Sequence, residues 1–182
     1  IPVVCSSSGI GAIDTSHPLS LGLIARNGTY PANHAARQAD VLLALGVRFD
    51  DRTSSSWLPG YSFNIPPTKL IHVDIDPEEI ARNYPVALGL MADVKIFLGQ
   101  VLAEMDARKA ANEIPAARET WLRDIDGWSN EWEEWTAPGY QVDTTPIHPQ
   151  RAAHEIDKVL PDDAIVVSDV GIHHNWLIQY CR

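Results

Sequence analysis

The side chains best equipped for chemistry in this chain are Arg48, Asp50, Asp51 and Arg52, which fall within five positions just after Gly46. Two guanidiniums can pair with phosphate oxygens, and carboxylates can accept from hydroxyls or hold the arginines in place. The same four residues could equally neutralise one another on a surface loop, and spacing alone does not choose. Ser6-Ser-Ser-Gly-Ile-Gly11 is a second candidate, a small-residue turn whose backbone N–H groups can approach an anion, although no lysine follows it as in a phosphate loop. A third is Asp169-Val-Gly171, which opens into His173 and His174. The other histidines, His17, His34, His72, His148 and His154, show no ligand spacing and read as structural.

These residues need elements to position them. Val41–Leu45 is a continuous apolar run of strand length, as expected of a parallel strand covered on both faces, and Gly46 ends it. The charged cluster therefore lies at the strand's carboxyl end, where open α/β sheets place their ligand crevices. Lys69–Ile75 is a second strand, closed by Asp74-Ile-Asp-Pro77, and a short helix is expected from Pro77 to Ile80. Val86–Leu90 is a weaker third strand. Asp93 then caps a helix from Val94 to about Arg108, whose apolar residues recur at three and four.

Before this core, Ile1–Cys5 reads as a strand, Leu19–Ile24 as a helix, and Pro31–Ala39 as a helix entered through proline. After it, 110–135 is helical by propensity and carries Trp121, Trp128, Trp132 and Trp135, which at that spacing cover a core or an interface more often than they stack on a cofactor. Ala137–Pro149 is linker-like. Pro149–Ile156 begins a helix, Pro161–Asp163 is a turn, and Ala164–Ser168 is a buried strand leading to Asp169. Alternating strands and helices with few hairpin signals predict a doubly wound parallel α/β sheet, followed by the first α/β unit of a second domain.

Composition narrows the function. The chain has 182 residues, 45% hydrophobic and 21% charged, with a net charge of −10. That balance argues against nucleic acid as the partner, since phosphate-backbone binding needs clustered Lys and Arg. No apolar run approaches the roughly 18 residues needed to cross a bilayer. Cys5 and Cys181 lie near opposite ends without metal-ligand spacing, so neither a disulfide framework nor a zinc site is expected, and the cytoplasm is the default location. The opening strand and the closing helix at 176–182 both read as cut, so the chain is expected to be a fragment.

Pro18-Leu-Ser-Leu-Gly22, Gly46-Val-Arg-Phe-Asp-Asp-Arg52, His72-Val-Asp-Ile-Asp-Pro-Glu-Glu-Ile80, Ala92-Asp93 and Ser168-Asp-Val-Gly171 occur in an order that resembles thiamine-diphosphate-dependent enzymes, closest to the acetolactate synthase large subunit. The resemblance implies that 1–140 is most of a central nucleotide- or FAD-binding domain, lacking its first strand, and that 147–182 begins the thiamine-diphosphate-binding domain. It places Ser6, Ser7 and Ser8 along the flavin or ribityl portion of FAD. Gly46, Val47, Arg48, Asp50 and Arg52 would lie beside the ribityl and diphosphate, and Asp74, Ile75, Asp93 and Val94 at the adenosine end. Gly171 and His173 would touch thiamine diphosphate. No catalytic residue and no Mg2+ ligand would fall in this stretch.

For the whole protein the resemblance implies decarboxylation of a 2-keto acid such as pyruvate and transfer of the resulting enamine to an acceptor, as in branched-chain amino acid biosynthesis. It also implies a homodimer or homotetramer. The chain departs from the family in two places: Ala25-Arg-Asn-Gly28 stands where Gly-Met-His-Gly is usual, and Ile172 where a glutamine is usual. The alternatives are a related decarboxylase, oxidase or acetyltransferase that binds ADP or no nucleotide, and a non-catalytic nucleotide-binding module.

Overall fold

The computed structural model describes residues 1–115, 118–161 and 163–181. Parts of three sequence expectations, at 116–117 of the tryptophan-rich helix, at 162 of the turn and at 182 of the last helix, lie outside the described residues. In chain order the elements are β1 (Val3–Cys5), a single 3-10 turn (Ser7–Gly9), β2 (Ser20–Leu23), α1 (Tyr30–Gln38), β3 (Val41–Leu45), α2 (Asp51–Ser54), β4 (Lys69–Asp74), β5 (Leu88–Met91), α3 (Val94–Ala110), α4 (Glu119–Tyr140), α5 (Pro149–Asp157) and α6 (Ile172–Tyr180). They gather into two compact units, Ala36–Asp124 and the pair of segments Ile1–Ala35 with Ile125–Arg182.

In the 36–124 unit β3, β4 and β5 form a parallel sheet in that order, with Leu45 opposite Val73 and Asp74 opposite Met91. The central strand is the buried one: Leu70, His72 and Val73 are at most 1% exposed. β3 is an edge strand, and Val41 and Leu43 stay 47% and 40% exposed, so only one face of the run expected to be covered on both is buried. Behind the sheet's carboxyl end Phe49, Phe63, His72 and Tyr84 pack edge to face, with Phe49 touching the other three rings at centroid distances of 5.2 to 5.4 Å. Such a T-shaped set combines buried area with favourable quadrupole geometry.

Asp93 caps α3 as its type and position predict, accepting from the Ile96 N–H at 3.0 Å, and Arg108 and Lys109 sit in the last turn where the helix dipole favours cations. Its apolar stripe is only half covered: Val94, Phe97, Leu98 and Val101 are partly buried, while Leu102 and Met105 are exposed. The expected helix at Pro77–Ile80 is a series of turns instead. Asp74 accepts from the Asp76 N–H and Asp76 from the Glu78 N–H, each at 2.9 Å, and these local bonds compete with helical ones.

In the other unit β1 and β2 pair in parallel. Leu19–Ile24 is thus a strand rather than a helix, because Leu21 and Leu23 alternate inward with a strand's period of two and β1 supplies the ladder. α4 runs on through Pro138 to Tyr140, so the first part of the expected linker is helical. Trp132 stacks on Tyr180 at 5.9 Å, Trp176 stacks on Tyr180 at 5.7 Å, and Tyr140 stacks on His154 at 4.1 Å. Ala164–Ser168 forms no strand: no ladder partner faces it among the described residues, and Ile165 and Val167 are each 90% exposed.

Candidate functional site

The carboxyl ends of three adjacent parallel strands bring together most of the sequence-predicted site. Gly46 follows β3 at φ +60°, a left-handed conformation that glycine adopts without steric cost, and its N–H donates to the Val73 carbonyl of β4 at 2.8 Å. A side chain added there would meet Val94 of α3 at 3.8 Å. The Asp74 carbonyl in turn accepts from the Ala92 N–H at 3.0 Å. Gly46, Asp74, Ile75, Asp93 and Val94 are therefore neighbours along one rim.

The loop from Val47 to Asp50 is held from one side. His72 Nε2 lies 2.9 Å from the Val47 carbonyl and serves as its donor. Asn83 Nδ2 donates to the Arg48 and Phe49 carbonyls at 3.2 and 3.1 Å, and Trp57 Nε1 to the Phe49 carbonyl at 2.7 Å. Because each peptide is planar and trans, the N–H groups of Arg48, Phe49 and Asp50 point away from those partners. Phe49 itself is at φ +51° with its ring buried, a strained conformation that the surrounding packing maintains.

The charged side chains divide into two kinds. Asp50 caps α2, accepting from the Thr53 N–H at 2.8 Å, and that bond above all holds its carboxyl below the usual carboxylate range. Asp74 and Asp93 are likewise committed in part to local turns and caps. The cations face outward: the Arg48 side chain is 76% exposed, with its Nε 3.9 Å from Glu79 Oε1. Among the described residues no Arg–Asp ion pair is seen within the cluster: Arg48 turns to Glu79, and Asp50 turns chiefly to the Thr53 N–H, with the Arg52 charge a lesser influence.

Glu79, Arg82 and Asn83, which sequence reasoning did not single out, are thus part of this site. Glu79 lies within the His72–Ile80 motif without being picked out from it, and Arg82 and Asn83 showed only polar character in a strand-to-strand connection. The donor set, exposed guanidiniums with outward N–H groups around a glycine, fits a phosphorylated nucleotide.

The remaining candidates belong to the other unit and are described within it. Ser6, Ser7 and Ser8 form the N-cap and start of the 3-10 turn after β1, and Ser7 and Ser8 are exposed. Gly171 caps α6, with the His173 ring so close that a side chain at 171 would meet Cε1 at 2.5 Å. His174 Nδ1 lies 3.3 Å from Ser168 Oγ. An exposed imidazole beside bare backbone suits a phosphate by donor chemistry. No group of three or more His, Cys, Asp or Glu side chains that could hold a metal gathers among the described residues.

A family model described as thiamine pyrophosphate enzyme, central domain, matches residues 1–101. The chain belongs to the thiamine pyrophosphate enzyme family. Its α/β sheets of parallel strands are those of that family's Rossmann-like central domain. Curated relatives match this family member along its whole length. It is 31% identical to the probable acetolactate synthase large subunit of Methanococcus aeolicus over 100% of the chain and 31% of that protein. It is 37% identical to the probable chloroplastic acetolactate synthase 2 of Oryza sativa subsp. japonica, over 99% and 26%. It is 32% identical to the acetolactate synthase isozyme 3 large subunit of Escherichia coli K12, over 99% and 30%. The chain thus spans between a quarter and a third of the length of these relatives. No helix among the described residues is long and apolar enough to cross a membrane.

Proposed function

We propose that this chain is the central nucleotide-binding part, with the start of the diphosphate-binding part, of a thiamine-diphosphate-dependent 2-keto acid carboligase of the acetolactate synthase kind. The domains would run over 1–140 and 147–182. The observation that carries the reading is the match to acetolactate synthases along 99–100% of the chain, with the Gly46–Arg52 loop set at the ends of parallel strands. Thiamine diphosphate, bound with Mg2+ held by residues outside this chain, would supply the carbanion stabilisation that lets a 2-keto acid such as pyruvate lose carbon dioxide and the remaining unit join an acceptor.

The roles of this chain's residues are binding and orientation. Gly46 gives a phosphate close access to the backbone, Arg48 and Arg52 balance its charge, and Asp74, Ile75, Asp93 and Val94 line the adenosine end. Ser6, Ser7 and Ser8 would contact the flavin or ribityl portion of FAD, and Gly171 with His173 the diphosphate of thiamine diphosphate. The parent would work in the cytoplasm as a homodimer or homotetramer.

A second reading, ADP in place of FAD, has the turn at Ala25–Gly28 in its favour. Ala25 is buried at φ +79°, and Asn33 closes both of its backbone groups, donating to its carbonyl and accepting from its N–H at 3.0 Å each. That leaves little backbone for a flavin ring where the family usually has Gly-Met-His-Gly.

Incubating the full-length protein with pyruvate, thiamine diphosphate and Mg2+ tests the activity: carbon dioxide release with acetolactate formation is expected, and no turnover on any 2-keto acid would overturn it. Denaturing the purified protein and identifying the released nucleotide separates FAD from ADP.

A further inference from the structure

The crevice holds one arrangement that the family-derived residue set does not include. Glu79 is 8% exposed and sits behind two arginines that reach the same oxygen: Arg82 Nη1 donates to Oε1 at 2.8 Å and Arg48 Nε lies 3.9 Å from it. Its other oxygen, Oε2, is buried without a hydrogen-bond partner among the described residues. Both guanidiniums face out, with side chains 76% and 60% exposed. Two like charges this close repel unless an anion lies between or before them. One carboxylate supplies half of what two cations need, so the trio keeps a net positive charge with unused donors on its outer side.

The backbone adds to this. Asn83, one residue beyond Arg82, ties down the Arg48 and Phe49 carbonyls, so the connection that carries Glu79 and Arg82 is fastened to the loop that carries Arg48. The N–H groups of Arg48, Phe49 and Asp50 point away from that fastening, and both guanidiniums are exposed to solvent. A phosphate group, with several oxygens and more than one negative charge, matches a pair of exposed guanidiniums.

We propose that Arg82 is a second phosphate-binding residue of the crevice, set beside Arg48 by the buried carboxylate of Glu79, and that the pair grips the diphosphate of a nucleotide. Glu79 is a positioning residue: it touches the arginines and acts on the nucleotide through them. This rests on the nucleotide reading above.

The test uses the full-length protein freed of bound flavin and titrated calorimetrically with ADP, with adenosine as the phosphate-free control. Arg82→Ala is expected to weaken ADP binding about tenfold or more and to leave adenosine within about twofold, since a charge-assisted bond is lost only where phosphate is present. Arg82→Lys, which keeps the charge and loses the fork, is expected to fall between the two.

Glu79→Gln discriminates more sharply. Removing a negative charge should by simple electrostatics tighten anion binding, whereas loss of positioning should weaken ADP about tenfold. Tighter ADP binding by Glu79→Gln overturns the positioning role, and wild-type ADP affinity in Arg82→Ala overturns the assignment of Arg82. Equal loss of ADP and adenosine in Arg82→Ala also overturns it, because the effect would not be on phosphate. If the unmodified protein binds neither ADP nor FAD, the nucleotide reading itself fails and takes the assignment with it; binding that Arg82→Ala leaves untouched removes the assignment alone.

Discussion

Two stretches of this chain have the same outline, an apolar run followed by residues that can bind phosphate, and they reach different physical states. Val41–Leu45 pairs residue for residue with β4, and the loop after it is tied by His72, Asn83, Trp57 and the packing of the Phe49 ring. Ala164–Ser168 is nearly as apolar and more β-branched, yet it has no ladder among the described residues and Ile165, Val166 and Val167 lie in solvent. The His173 side chain that follows is exposed, as is that of Arg48, but Arg48 has the buried carboxylate of Glu79 3.9 Å from its Nε. A strand is therefore not a property of a run of residues but of the run and its neighbour, and the order of a binding loop depends on the same neighbour.

The contrast is broken most forcefully at Phe49. Phe49→Ala should remove a ring that touches Phe63, His72 and Tyr84, at a cost of about 3–5 kcal/mol by urea unfolding of the full-length protein, and nucleotide affinity should fall with it. A shift below about 1 kcal/mol would mean that the ring cluster is not what orders the loop.

Asn83→Ala tests the fastening without touching the core. Its two bonds to the loop carbonyls lie on an exposed side chain, so the expected cost is about 1 kcal/mol. Hydrogen exchange across 47–50 should rise while exchange in β4 stays as it was. An unchanged loop would leave His72 and Trp57 as sufficient partners.

These residues also mark where the sequence stopped being legible. Asp93 announced the start of α3 because an N-cap acceptor and a three-and-four apolar spacing are local signals. β3 was legible as an unbroken apolar run of strand length, and β4 as a strand closed by Asp74-Ile-Asp-Pro77. Leu19–Ile24 was not, since six residues with leucines at 19, 21 and 23 satisfy a helix and a strand about equally, and only pairing with β1 decides. Pro77–Ile80 misled because Asp74 and Asp76 spend their side chains on local turns. The site was half visible for a related reason: Gly46, Arg48 and Asp50 stand together in sequence, whereas Asn83 reaches the same loop across 34 and 35 residues and Glu79 reaches Arg48 through the fold alone.

A smaller effect sharpens the account of the charged cluster. Asp50 accepts from the Thr53 N–H, and its carboxyl titrates below the ordinary range for that reason first. A depressed folded value means that the ionised cap contributes fully above about pH 3.9, the ordinary aspartate value, and that this contribution is lost as pH falls through the folded value. Asp50→Asn keeps an acceptor but does not titrate, so its α2 should show no loss of Thr53 amide protection from this group in that acid window. Asp50→Ala should lose about 1 kcal/mol of local stability above about pH 3.9, a deficit that shrinks as the wild-type carboxyl protonates. Equal acid sensitivity in the wild type and Asp50→Asn would show that the cap is not the titrating element.

The smallest expected effect is on the other side of the comparison. In the 182-residue chain Ile165 and Val167 are exposed and have no ladder partner among the described residues, so Ile165→Ser should change stability by no more than about 0.5 kcal/mol, as surface substitutions do. The same substitution in the longer protein should cost several times more if the run there finds the strand neighbour that β3 finds in β4. A large loss in the 182-residue chain would mean that 164–168 is already buried in it, and the difference between the two stretches would disappear. An equally small loss in both proteins would separate apolar composition from strand formation altogether, and would leave Gly171 and His173 without a rigid edge to present them.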